Sequence, residues 1–117
     1  MNAPRRGELY LVNFDPTIGS EIKKTRPALI LQNDIANRYS PVTIVAALSS
    51  SVSQPLYPTE VLIKPDTDGV EKPSVVLLNQ IRTIDKQRLV RKLGRVKRQT
   101  MDHVDQALKI SLGLVDI

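Results

Sequence analysis

Over most of the chain, apolar residues gather in short runs with a period near two, and only towards the end does the period lengthen to that of a helix. Residues 8–14 (ELYLVNF), 28–32 (ALILQ), 42–48 (VTIVAAL), 60–63 (EVLI), 74–82 (SVVLLNQIR) and 88–93 (RLVRKL) are rich in Val, Ile and Leu, and each is short enough to be a strand. Asp15-Pro16, Gly19, Ser40-Pro41, Pro55, Pro58, Pro65, Gly69 and Pro73 fall between them, which puts six of the eight prolines in connections. Six short strands with irregular loops predict a small, strongly curved antiparallel β-barrel. Beyond Arg98 the pattern changes: Val104, Ala107, Leu108, Ser111, Leu112 and Val115 recur at helical spacing, with Thr100 suited to cap the helix and Asp102 favourable in its first turn. Ile110 and Leu114 widen this stripe beyond what one small barrel needs, which points to a second copy of the chain. The predicted fold class is mainly β with α, closed by a C-terminal helix.

Length and composition narrow the possibilities. At 117 residues the chain is expected to form one domain over 1–117. Its longest apolar run is five residues, 44–48 (IVAAL), whereas a membrane-spanning helix takes about 18 or more. The start, MNAPRRGELY, does not enter the apolar stretch of a secretory signal, so no membrane association and a cytoplasmic location are expected. Zero cysteines rule out disulfides and thiol nucleophiles, and a single histidine, His103, gives neither a His-rich metal site nor a two-histidine acid and base pair. No phosphate-loop, dinucleotide-binding, zinc-protease or nucleophile-elbow motif occurs, and Asp66-Thr67-Asp68-Gly69 reads as a turn and not as a cation loop. No metal and no cofactor are assigned.

The charge is unevenly spread. The net value is +5, yet eight basic residues and one acid, Asp85, lie between Arg82 and Arg98. Such a density is the footprint of a polyphosphate partner, because each cation that meets a phosphate releases counterions; the plain alternative is a solvated face. With four aromatics in all, Tyr10, Phe14, Tyr39 and Tyr57, stacking of bases on a sheet is poorly supported, so contacts to nucleic acid would be mainly polar and cationic.

One constellation carries chemistry. Arg26 precedes Pro27, which biases it towards extended geometry at the mouth of the strand 28–32, and the residues 33–41, read as a loop, return the chain antiparallel into 42–48. Arg26 lies eleven residues before Asn37 and Ser49 twelve after it, so the two are expected to be neighbours. Glu21, Lys23 and Lys24 sit in the loop 15–25 entering the same edge, so a carboxylate, a guanidinium, a hydroxyl and two ammonium groups are expected to converge there. Taken singly, each could be an ordinary surface residue.

The segments RGELYLVNFDPTIGSE (6–21), TRPALILQND (25–34), TIVAALSSS (43–51) and LLNQIRTIDKQRL (77–89) together resemble the MazF/PemK family of toxin endoribonucleases, most closely its EndoA-like Gram-positive branch. The resemblance implies an SH3-like barrel of the CcdB/PemK type, a homodimer, metal-independent and sequence-specific cleavage of single-stranded RNA, and inhibition by a MazE-type antitoxin. It implies catalytic roles for Arg26, Ser49 and Glu21 and RNA contacts from Arg6, Lys23, Lys24, Asn79, Gln80, Arg82 and Arg88. Ser49 stands where the family usually has threonine, and Asn79 where close relatives often have an acid. Cleavage through the 2′-hydroxyl would give a cyclic phosphate and a 5′-hydroxyl. Arg26 would hold the phosphorane and Ser49 would donate to it. The base stays open between Glu21, favoured by its chemistry, and the arginine and hydroxyl pair, favoured by the resemblance. The competing classes are a non-catalytic nucleic-acid-binding barrel and a gyrase-targeting toxin of the CcdB type, which lacks the Arg and hydroxyl pair.

Overall fold

The structure is a computed structural model that describes residues 2–116, apart from the side chains of Asp66 and Thr67. Its elements run β1 (Glu8–Asn13), β2 (Thr25–Ile30), α1 (Asp34–Tyr39), β3 (Val42–Ser49), β4 (Glu60–Ile63), α2 (Pro65–Asp68), β5 (Ser74–Asp85), a 3₁₀ turn (Lys86–Arg88), β6 (Leu89–Arg95) and α3 (Arg98–Ser111). The strands form one antiparallel sheet in the order β4-β5-β3-β2-β1-β6. Each of the six runs identified by periodicity contributes a strand, with ends shifted by a few residues.

Strand β5 curls the sheet. Its twelve residues pair first with β4 and then along β3, where a register shift falls between Ala46 and Leu48. A bulge of this kind increases the local twist. The 3₁₀ turn then carries the chain from β5 into β6, which joins the far edge of the sheet beside β1. In consequence Ile84 of β5 and Leu89 of β6 meet Tyr10, Val12, Phe14, Ala28, Ile30, Val45 and Ala47 in one core inside the curl. The other face carries a second core, in which Met101, Val104 and Ala107 of α3 cover Leu9, Leu29, Ala46, Leu48, Val61, Val76 and Leu78. Neighbours such as Leu9 and Tyr10 thus point into different cores. Burial on both faces is why the central strands read as nearly continuous apolar runs.

Three local expectations are corrected. The segment 33–41, read as a loop, contains α1: the Asn33 side chain accepts a hydrogen bond from Ala36 N at 2.9 Å and caps the helix. Within it Asn37 is fully buried, giving Nδ2 to Gln32 O (2.8 Å) and accepting from Gln32 Nε2 (3.1 Å) and Thr43 Oγ1 (2.7 Å). Helix α3 starts at Arg98, before Thr100, and no side chain of its own caps it. The buried carboxylate of Asp68 stands in, accepting from Lys97 N (3.2 Å) and Thr100 Oγ1 (2.8 Å). The segment 66–69, read as a turn, begins as the single helical turn α2, which Gly69 ends in the left-handed conformation (φ 76°).

Strand β2 begins at Thr25, three residues earlier than periodicity indicated, because Arg26 and Pro27 pair with Val12 and Leu11 of β1. On the β3 side the pairing begins only at Ala28, so the N–H that proline lacks leaves no break in that ladder.

Candidate active site

The pairs Ala28↔Ala47, Leu29↔Ala46 and Ile30↔Val45 set the β2–β3 register, and its continuation brings Arg26 opposite Ser49. Both line a cleft of about 460 Å³. Its walls are Leu11 and Pro27 from β1 and β2, Leu48 beside Ser49, Arg91 and Leu93 from β6, and the loop 69–73 with Ser74. This loop crosses the cleft because Gly69 packs on Gly94 of β6, where a Cβ would come within 3.4 Å of the Gly69 carbonyl oxygen, while β5 beyond it pairs Val75 with Ser49.

Each member of the pair has one part anchored and another available. Arg26 gives Nε–H to Lys23 O at 2.8 Å, and among the described residues no other hydrogen bond holds its guanidinium. Ser49 Oγ accepts from Ser51 N at 3.1 Å, which leaves the hydroxyl proton free to donate into the cleft. A planar cation and a hydroxyl donor on one wall suit a phosphoryl group that gains negative charge during reaction.

The other expected residues are placed differently. Glu21 does not line the cleft; its Oε1 accepts from Ile18 N at 2.7 Å and closes a turn within its own loop. Lys23 and Lys24 are exposed on that loop, also outside the cleft lining, and Lys24 has a positive φ of 70°. The expected convergence of carboxylate, guanidinium, hydroxyl and two ammonium groups therefore reduces to Arg26 and Ser49.

Gln80, Arg82 and Arg88 hold the backbone of the loop 14–24. Gln80 accepts from Ile22 N (3.2 Å) and donates to Ser20 O (3.4 Å), Arg82 donates to Phe14 O (2.6 Å), and Arg88 donates to Asn13 O (3.0 Å) and Asp15 O (2.5 Å). Asn79 is exposed next to Gln80. Arg6 lies away from the cleft, bound to Leu31 O (2.8 Å) and to Asp105 of α3 (2.5 Å).

Sequence reasoning missed Glu71 and Lys72, which line the cleft from the loop 69–73. No local signal marks them, since only the contact of Gly69 with Gly94 brings that loop over Arg26. Among the described residues, no group of three or more His, Cys, Asp or Glu side chains could hold a metal ion, and no helix is long and apolar enough to cross a membrane.

A six-stranded antiparallel sheet with a C-terminal helix is a fold that this chain shares with small toxins. Residues 5–112 match the family of PemK-like, MazF-like toxins of type II toxin–antitoxin systems, and the chain belongs to that family. It is 48% identical over 112 residues to endoribonuclease EndoA of Bacillus subtilis, covering 96% of this chain and 97% of that protein. MazF of Deinococcus radiodurans superimposes with a TM-score of 0.83 at 29% identity, over 97% of this chain and 99% of that one. A mycobacterial endoribonuclease solved in complex with its cognate antitoxin gives 0.80 at 28% identity, over 98% and 100%.

Proposed function

We propose that this MazF/PemK-family endoribonuclease toxin cuts single-stranded RNA at a preferred sequence, without a metal ion, and leaves a cyclic phosphate and a 5′-hydroxyl. The observation that carries the reading is that Arg26 and Ser49, from adjacent strands, line one cleft. Metal-free cleavage of RNA needs its own 2′-hydroxyl as nucleophile and a cationic cradle for the phosphorane, and the free face of Arg26 with the Ser49 proton supplies that cradle. Glu21 acts through the loop it closes, and Gln80, Arg82 and Arg88 keep that loop's backbone in place beside Arg26. Lys23, Lys24 and Asn79 are exposed where the strand would enter and are the proposed RNA contacts on this side, with Arg91 opposite on β6.

The similarity to an endoribonuclease solved with its cognate antitoxin supports a MazE-type antitoxin as the second partner. An acidic, partly disordered segment would suit the same cationic surface. A homodimer is supported by the apolar end of the chain, where Leu112, Leu114 and Val115 are exposed and Ile110 borders a groove with Leu56 and Leu62. The cytoplasm, where RNA is met, is the proposed location.

The test is incubation of the purified protein with a long single-stranded RNA in EDTA, followed by mapping of the ends. Discrete fragments with cyclic phosphate and 5′-hydroxyl ends are expected. Intact RNA would overturn the reading, and a DNA strand of the same sequence should survive because it lacks the 2′-hydroxyl.

A further inference from the structure

The guanidinium of Arg26 takes its direction from one hydrogen bond, Nε–H to Lys23 O at 2.8 Å. That carbonyl belongs to the peptide unit joining Lys23 to Lys24, which is planar and trans, so its N–H points away from its C=O. The N–H is that of Lys24, and it donates to Asp15 Oδ1 at 3.0 Å. A single rigid plane therefore carries the Asp15 carboxylate at one edge and the Arg26 guanidinium at the other. Resting on the endoribonuclease reading above, we infer that Asp15 is a positioning residue of the reaction, which aims Arg26 through the Lys23–Lys24 peptide.

This plane needs holding because of the residue that follows it. Lys24 has φ 70°, the left-handed conformation, and is the one non-glycine with positive φ among the described residues. A side chain with a Cβ adopts that conformation at a cost and keeps it only where its surroundings impose it. Two hydrogen bonds do so here: Phe14 N donates to Lys24 O at 3.0 Å, and Asp15 accepts from Lys24 N. With the carbonyl side fixed by Phe14, release of the N–H lets φ relax, and rotation about that bond swings the Lys23 carbonyl away from Arg26 Nε. Asp15 can impose the geometry because its own backbone is held at both ends. Its N–H donates to Asn13 Oδ1 at 3.1 Å, and its carbonyl accepts from Arg88 at 2.5 Å. Its carboxylate makes no ion pair among the described residues, and Glu21, the other acid of this loop, is engaged with Ile18 N. The carboxylate also polarises the peptide it binds, which strengthens the Lys23 carbonyl as an acceptor. Whatever Arg26 does for the reacting phosphate, it does from the direction this chain of contacts sets.

The experiment joins single-turnover cleavage of a short RNA, with the full chain in excess, to the NMR signal of the Arg26 Nε–H, identified by its loss in Arg26→Lys. Asp15→Ala is expected to slow cleavage by about tenfold or more, as misdirection of a catalytic group does. Its RNA affinity should not fall, since the change removes a negative charge from a surface that meets phosphates. Its Nε–H signal should move towards that of a freely exposed arginine. Asp15→Asn loses the same charge but keeps an oxygen that accepts from Lys24 N, so it should cut within about threefold of wild type and keep the wild-type signal. An alanine variant that cuts within about threefold of wild type, keeps the wild-type Nε–H signal, or loses only RNA affinity overturns the role of Asp15. An asparagine variant as slow as the alanine variant does the same. Asp15 is exposed, so the alanine variant should fold; an unfolded one, seen by circular dichroism, also overturns the role by making Asp15 a residue of the fold. All of these leave the endoribonuclease reading standing. A wild type that cuts no RNA overturns that reading, and the Nε–H signal then decides the link from Asp15 to Arg26 by itself.

Discussion

At position 49 a serine supplies the hydroxyl without the methyl that would stiffen its χ1 torsion, so the donor facing Arg26 is less preorganised than a threonine would be. Ser49→Thr is expected to keep or raise the cleavage rate, and Arg26→Ala to lower it by about a hundredfold or more with the fold intact, as loss of an oxyanion donor does. Rates from a fluorogenic RNA, with circular dichroism as the control for folding, check both; a dead threonine variant would show that the site is misplaced. Tyr10 gives a second residue-scale prediction. Burial first, then the Glu8 carboxylate, push its phenol above the ordinary 10.0, while Lys92 pulls the other way. A raised phenol pKa means that the fold favours the neutral form. Its stabilisation is therefore complete below about pH 10 and lost as pH rises through the folded-state value. In urea titrations Tyr10→Phe should show a shallower loss of stability above that pH than wild type, and equal slopes would assign the alkaline loss to other groups.

Two elements depend on polar groups distant in sequence. Helix α3 begins without a cap of its own and takes one from Asp68, which accepts from both Lys97 N and Thr100 Oγ1. Asp68→Ala would take this partner from the buried Thr100 hydroxyl and the part-buried Lys97 N–H, so the unfolding free energy should fall by about 1–3 kcal/mol in denaturant titration. A change below about 0.5 kcal/mol, the level of an ordinary surface substitution, would mean that water or a neighbour replaces the cap. Helix α1 is the converse, since Asn33 and Asn37 lie within its own stretch of chain. Its capping residue was therefore visible in the sequence, but a six-residue helix leaves too little periodicity to reveal itself. The loop 14–24 owes its shape to Gln80, Arg82 and Arg88, which are about sixty or more residues away along the chain.

At the scale of the molecule the basic run from Arg82 to Arg98 divides into separate tasks. Arg82, Arg88 and Lys86 are bonded to backbone carbonyls, and Lys92 is paired with the buried Glu8, while Arg91 and Arg95 are exposed on β6. Phosphate contacts set affinity and its salt dependence, not the choice of sequence. Neutralising Arg91 and Arg95 together should therefore flatten the salt dependence of RNA binding by about two counterions' worth of slope and leave the cleaved sequence unchanged. An unchanged slope would mark them as a solvated face. Lys92→Ala should behave differently and destabilise the fold, because it removes the cation paired with the buried Glu8 carboxylate and leaves it the hydrogen bond from Arg5 N.

The sequence alone determined the six strands, the C-terminal helix and the proximity of Arg26 to Ser49. These depend on periodicity and on a short antiparallel return, in which residues equidistant from a turn must lie opposite each other. It did not determine the position of Glu21, because the same loop can present its carboxylate outward or fold it back on its own backbone, and the hydrogen bond from Ile18 N decides. Nor could it separate the arginines that hold backbone from those left exposed, since a charge run looks the same in either use. Glu71 and Lys72 reach the cleft only because the sheet curls until Gly69 touches Gly94, a contact across 25 residues of chain that no local pattern encodes. Local spacing fixes which residues face each other across a short turn, and only closure of the curled sheet decides which distant loop completes the cleft.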